Sequence, residues 1–196
     1  MKKFALMNAL AVGVLSIGMA MASPQQAVTQ LRGNADQVLS ILSQANGSNN
    51  AAVRRQAENY AIPYFDFERM TALAVGAPWK QATPAQKAAL TQQFKTLLIR
   101  TYSGTMLKFK GAKVQVQGNP IVNNGGKEVV VKTKVVAQGK PVNMDYTMYQ
   151  SGSKYRVYNV AVEGASLVTV YRSQFNETIK KSGIDGLISQ LKQKNG

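Results

Sequence analysis

Apolar positions recur three and four residues apart through the first half of the chain and two apart through much of the second. Val28, Leu31, Ala35, Val38, Leu39 and Leu42 form one stripe, which predicts a helix that starts at Ser23-Pro24 and runs to about Ala45. The polar run from Asn46 to Asn50 breaks it. A second helix is predicted over Ala51 to Ala61, ended by Pro63, because the residue before a proline avoids the α region. In Tyr64-Phe65-Asp66-Phe67 the carboxylate suits an N-cap for a short helix through Leu73 that ends near Gly76. Thr83-Pro84-Ala85-Gln86 is a capping box with proline in the first turn. It predicts a long helix from Pro84 to about Lys108, with Gly104 as its weak point.

From Gly111 the period changes to two. Val114 and Val116 mark one strand, and Lys127 to Ala137 a second with Val129, Val131, Thr133 and Val135 on one side. Val142, Met144, Tyr146 and Met148 line a third, opposite Asn143, Asp145, Thr147 and Tyr149. Tyr155 to Val162 is a fourth, rich in β-branched and aromatic residues. The links at Gln138-Gly139 and Ser151-Gly152-Ser153 are short, so the strands form an antiparallel meander. After Glu163-Gly164 the period returns to helical through Leu167, Val170, Tyr171, Gln174, Phe175 and Ile179. Gly183 closes that helix, and a short terminal helix opens at Asp185-Gly186-Leu187. The layout is α+β: a curved antiparallel sheet of about four strands with helices on its concave face, an NTF2-like cone preceded by a helical segment.

Residues 1–22 carry a different pattern. Lys2 and Lys3 precede an apolar run from Leu6 to Ile17, and Ala20-Met21-Ala22 is a small-x-small cleavage site, so a cleaved signal peptide is expected, with a retained anchor as the alternative. Residues 23–196 are then expected to form one exported domain, since no later stretch is apolar and long enough to span a bilayer. The formal charge is +15, of which Lys2 and Lys3 supply two, leaving +13 beyond Ala22. Such a surface favours anionic partners, and export argues against nucleic acid. Lys108, Lys110, Lys113, Lys127, Lys132 and Lys134 are either a docking face or simply solvated.

The sequence contains no His and no Cys. The commonest general base, the usual zinc ligands and the thiol nucleophile are therefore absent. The nine acids show no paired-carboxylate or calcium-loop spacing, so neither catalytic nor metal residues are expected. Asp145 and Glu163 are the best candidates for a base if the fold houses an enzyme. What remains is a set of large, flexible or aromatic apolar residues, which alone describes a core.

Tyr155-Arg156-Val157-Tyr158-Asn159-Val160, Glu163-Gly164-Ala165-Ser166-Leu167, Tyr171-Arg172, Phe175, Gly183-Ile184-Asp185-Gly186-Leu187-Ile188 and Leu191 together closely resemble the MlaC/toluene-tolerance family of periplasmic phospholipid-binding proteins of Gram-negative bacteria. The likeness extends to Tyr64-Phe65-Asp66-Phe67 and Trp79-Lys80. Ala161 and Ala165 depart from it, standing where Val is common. The resemblance implies a periplasmic, non-enzymatic shuttle that holds phospholipid by its acyl chains and maintains outer-membrane lipid asymmetry. It implies no cofactor beyond the lipid cargo. The implied partners are an inner-membrane lipid transporter with an MCE-type ring and an outer-membrane lipoprotein–porin complex. With that implication the apolar faces predict tail contacts from Leu98, Tyr102, Met106, Val131, Met144, Tyr146, Val160, Leu167, Tyr171 and Phe175. The alternatives are an exported enzyme of the same cone-like fold and an envelope adaptor with a filled core.

Overall fold

The computed structural model describes residues 23–196; the expected signal peptide lies outside the described residues. Helix α1 spans Pro24–Ser43. Ser23 caps it with a full capping box, its hydroxyl accepting from the Gln26 amide while the Gln26 side chain accepts from the Ser23 amide. Helix α2 spans Asn50–Ala61 and passes into a 3-10 turn, Ile62–Tyr64. Helix α3 spans Phe67–Val75 and begins where expected, with Asp66 Oδ1 accepting from the Arg69 amide at 2.9 Å. Helix α4 spans Pro84–Ser103 behind the Thr83/Gln86 capping box.

Helix α4 is shorter than its apolar spacing predicts. It ends at Gly104, and the Thr105 hydroxyl donates to the Tyr102 carbonyl at 2.8 Å, taking an acceptor a further turn would have used. A separate 3-10 turn, Met106–Phe109, follows. Met106 and Phe109 therefore point independently of the α4 stripe.

Strands β1 (Lys113–Val116), β2 (Ile121–Asn123), β3 (Glu128–Ala137), β4 (Lys140–Ser151), β5 (Lys154–Val162) and β6 (Ala165–Ser166) form one open antiparallel sheet. The order is β1-β3-β4-β5-β6, with β2 pairing β3 beside β1. Six strands thus stand where about four are expected. β2 and β6 have three and two residues, too few to show a period. Glu163 and Gly164 both adopt positive φ, 49° and 80°, which is the backbone of a tight hairpin turn and explains how β6 folds back on β5.

The register fixes two faces. Val131 pairs with Tyr146, and Tyr146 with Val160, so all three point the same way, as do Val129, Thr133, Met144, Met148 and Val157. This inner face packs on Ala27, Val28 and Leu31 of α1. The parity survives a bulge at Thr147/Met148, where Tyr158 is the extra residue on β5. Lys132, Lys134, Asp145 and Asn143 lie on the opposite face.

Helix α5 spans Leu167–Asn195 and is broken at Gly183, whose φ of 69° and ψ of −173° leave the helical region. The expected end of one helix and start of another are both there. Gly186 is required beside the break: a Cβ on it would stand 2.1 Å from the Ser182 hydroxyl oxygen. Helices α3, α4 and α5 pack on one another around Met70, Leu90, Phe94, Leu98, Tyr171, Phe175 and Leu187. The seam between this helical core and the sheet is the Phe65–Asp66 segment. Phe65 forms a parallel bridge with Val157, and the Asp66 amide donates to the Val157 carbonyl at 2.8 Å. A third apolar cluster joins the end of α1 to α2 around Ile41, Leu42, Val53 and Ala57, with Met106, Leu107 and Phe109 against it.

Candidate functional site

Helix α1 crosses the inner face of the sheet without filling the space beneath it. Its N-terminal part is held tightly. The Gln30 side chain donates to the Tyr155 carbonyl at 2.6 Å and accepts from the Tyr155 amide at 2.9 Å, occupying the edge of β5 as a neighbouring strand would. Further along α1 the contact opens into a cavity of about 220 Å³. Leu31, Asn34, Ala35, Val38, Leu39 and Leu42 of α1 line one wall. Val114, Val135, Met144, Tyr146 and Val157 of the sheet line the other, and Ala61, Tyr64, Phe65, Met106 and Phe109 close the ends. The α1 residues recur at helical spacing and the sheet residues share one parity, so each wall is a single face of its element.

Among the described residues, none that lines the cavity carries a charge. The polar groups it offers are the Asn34 amide and the hydroxyls of Tyr64 and Tyr146. Asn34 Oδ1 accepts from the Tyr60 hydroxyl at 3.3 Å. Among the described residues the Tyr146 hydroxyl reaches only the Met144 thioether, at 3.8 Å, and burial pushes its pKa up to about 12. Such a chamber excludes ions and accepts hydrocarbon.

Of the ten residues singled out from the sequence, Met106, Met144 and Tyr146 line this cavity. Val131 and Val160 share the inner face but are packed into the layer beside it, and Leu167 rests against the same layer. Leu98, Tyr171 and Phe175 lie in the helical core instead, where the Phe94 ring meets Tyr171 at 5.0 Å and Phe175 at 5.1 Å, both edge to face. Tyr102 is 40% exposed near the end of α4. In the sequence the α1 wall is a helix stripe and nothing more. A stripe looks the same in sequence whether the surface opposite touches it or stands off.

Neither candidate base faces the chamber. Asp145 sits between Met144 and Tyr146 and therefore points to the other side of the sheet, paired across the strands with Lys132. Glu163 is exposed and latches the β5–β6 turn, accepting from the Asn143 amide at 2.5 Å and from its side chain at 3.3 Å. Among the described residues no cluster of acidic side chains could hold a metal ion, and no helix is long and apolar enough to cross a membrane.

Five of the six lysines singled out above divide between two places. Lys108 lies in the turn that supplies Met106 and Phe109 to the cavity and Lys110 caps it, its ammonium donating to the Ala45 carbonyl, whereas Lys113, next to Val114 on β1, takes the opposite parity and faces away. Lys132 and Lys134 lie on the face of β3 turned away from the cavity.

The family described as MlaC protein matches residues 32–193. A phospholipid-binding protein from Ralstonia solanacearum, solved in complex with a phospholipid, superposes with a TM-score of 0.79 at 30% identity. The alignment covers 87% of this chain and 97% of that one. The toluene tolerance protein ttg2D of Pseudomonas putida is 28% identical over 107 residues, 54% of this chain and about half (49%) of its own length. The intermembrane phospholipid transport system binding protein MlaC of Haemophilus influenzae is 21% identical over 144 residues, 72% of this chain and 67% of its own.

Proposed function

This chain belongs to the MlaC family, and from that premise we propose that it binds a phospholipid by its acyl chains in the cavity between α1 and the sheet and carries it between the two membranes of a Gram-negative envelope. The observation that carries this reading is the uncharged chamber itself. Each methylene exposed to water costs about 0.8 kcal/mol, so a diacyl lipid with roughly 30 of them faces on the order of 20 kcal/mol in an aqueous gap. An apolar chamber offsets most of that cost, while the headgroup stays in water.

The chamber of about 220 Å³ is small for this task, below the range of roughly 300–1,000 Å³ usual for ligand sites. It therefore widens on loading. The middle of α1, between the hold of Gln30 on β5 and the Ile41–Leu42 cluster with α2, is the side that yields. Lys108 and Lys110 beside the cavity wall favour an anionic headgroup. The proposed partners follow from the family: an inner-membrane lipid transporter with an MCE-type ring on one side and an outer-membrane lipoprotein–porin complex on the other. The proposed location is the periplasm and the proposed role is maintenance of lipid asymmetry. No step of bond chemistry is needed, and Asp145 and Glu163 are turned away from the chamber.

The test is to purify the protein without detergent, extract it with solvent and identify lipid by mass spectrometry. Stoichiometric phospholipid is expected. A protein that carries none, even after incubation with phospholipid vesicles, overturns the reading.

A further inference from the structure

Tyr146 is placed unusually for a tyrosine. It sits in the middle of the sheet, flanked on the inner face by Val131 on β3 and Val160 on β5. The strand ladders on both sides are complete at this point, so backbone groups there already have partners. Its ring forms part of the cavity wall, and among the described residues the one acceptor for its hydroxyl is Met144 Sδ at 3.8 Å. A thioether is a weak acceptor, and that distance is long. Water can satisfy the hydroxyl while the chamber is empty. Plain hydrocarbon that expels the water cannot. The site then penalises ligands that bring no acceptor.

We infer that the Tyr146 hydroxyl is a specificity determinant that donates to an oxygen acceptor on the bound lipid, the ester carbonyl that joins an acyl chain to its glycerol. The inference rests on the carrier reading and adds to it a choice of linkage. The other two polar groups of the wall are less suited to this role. Both stand off the sheet: Asn34 lies on α1, its Oδ1 accepting from Tyr60, and Tyr64 closes an end of the cavity with its ring 5.5 Å from that of Tyr60. A donor at the centre of the wall also sets how far the lipid sinks, because the carbonyl lies at a fixed place between headgroup and tails.

The experiment compares two phospholipids of identical headgroup and chain length, one with ester and one with ether linkages, for binding to the wild-type protein and to Tyr146→Phe. Wild type is expected to favour the ester by roughly tenfold, the size of one net hydrogen bond, and Tyr146→Phe to bind the two alike. The same ratio in both proteins, or no preference in the wild type, overturns the inference while leaving the carrier reading intact. Failure of the wild type to bind either lipid overturns the carrier reading itself. Infrared spectra of ester-carbonyl-labelled lipid on the wild type give a second measurement that needs no variant. A carbonyl band lowered by hydrogen bonding is expected, and a band at the position of a free ester overturns the inference.

Discussion

The helical core of α3, α4 and α5 and the layer between α1 and the sheet are built from equally apolar residues, yet one is full and the other hollow. In the first, Phe94 is wholly buried and meets Tyr171 and Phe175 edge to face, so rings interlock from three directions. In the second, one helix, α1, faces the sheet. Ala35 offers only a methyl group, and Met144 and Tyr146 stand opposite across a gap. Helices on three sides can close around a ring, whereas one helix on a sheet leaves space wherever its side chains are short. Apolar composition thus sets where water is excluded, and the arrangement of elements sets whether protein or ligand fills the space.

The comparison breaks most readily at Phe94. Truncating it to Ala should cost about 3–5 kcal/mol, because the surrounding rings cannot all collapse into the vacated volume. Denaturant unfolding would show this as a lower midpoint. An equal loss from truncating Met144 would show that the two regions are packed alike. A smaller effect sharpens the contrast inside the sheet. Val131 is fully buried, and replacing it by Phe should cost about 1–3 kcal/mol through overpacking. Met144→Phe points into the cavity, should cost less than about 1.5 kcal/mol, and should abolish lipid uptake. A Met144→Phe protein that still loads lipid normally would place the cargo elsewhere.

The seam between the two regions tests whether they depend on each other. Asp66 caps α3, accepts from the Tyr149 hydroxyl and stands 3.7 Å from the Arg156 guanidinium, while Arg69 pairs with Glu128 and covers the Tyr158 ring at 3.8 Å. Asp66→Ala should cost about 1–2 kcal/mol. If the two regions depend on each other, near- and far-ultraviolet circular dichroism will still report one shared transition. Separate transitions in the variant would mean that this seam alone couples them.

Local signals were legible in the sequence. Ser23, Asp66 and Thr83 cap the helices they were expected to cap, and Gly183 interrupts α5 as expected, because each depends only on its neighbours. The alternation through β3, β4 and β5 was legible for the same reason. The end of α4 was not, since the apolar stripe continues through Met106 while Gly104 and Thr105 turn the chain. Nor could ten apolar residues be sorted between the two regions. Phe175 and Tyr146 are both aromatic residues on the apolar face of their elements, and only the packing of elements distant in sequence sends one into a filled core and the other to a cavity wall.

The bridge from Phe65 to Val157 joins points far apart along the chain, and the Arg156 side chain that donates to the Phe65 carbonyl lies 91 positions away. Bringing such distant segments together is entropically unfavourable until the intervening hairpins exist. The α1–α2 pair can meet early, but the Phe65 segment consequently has no strand to dock on until the ribosome has passed Val157.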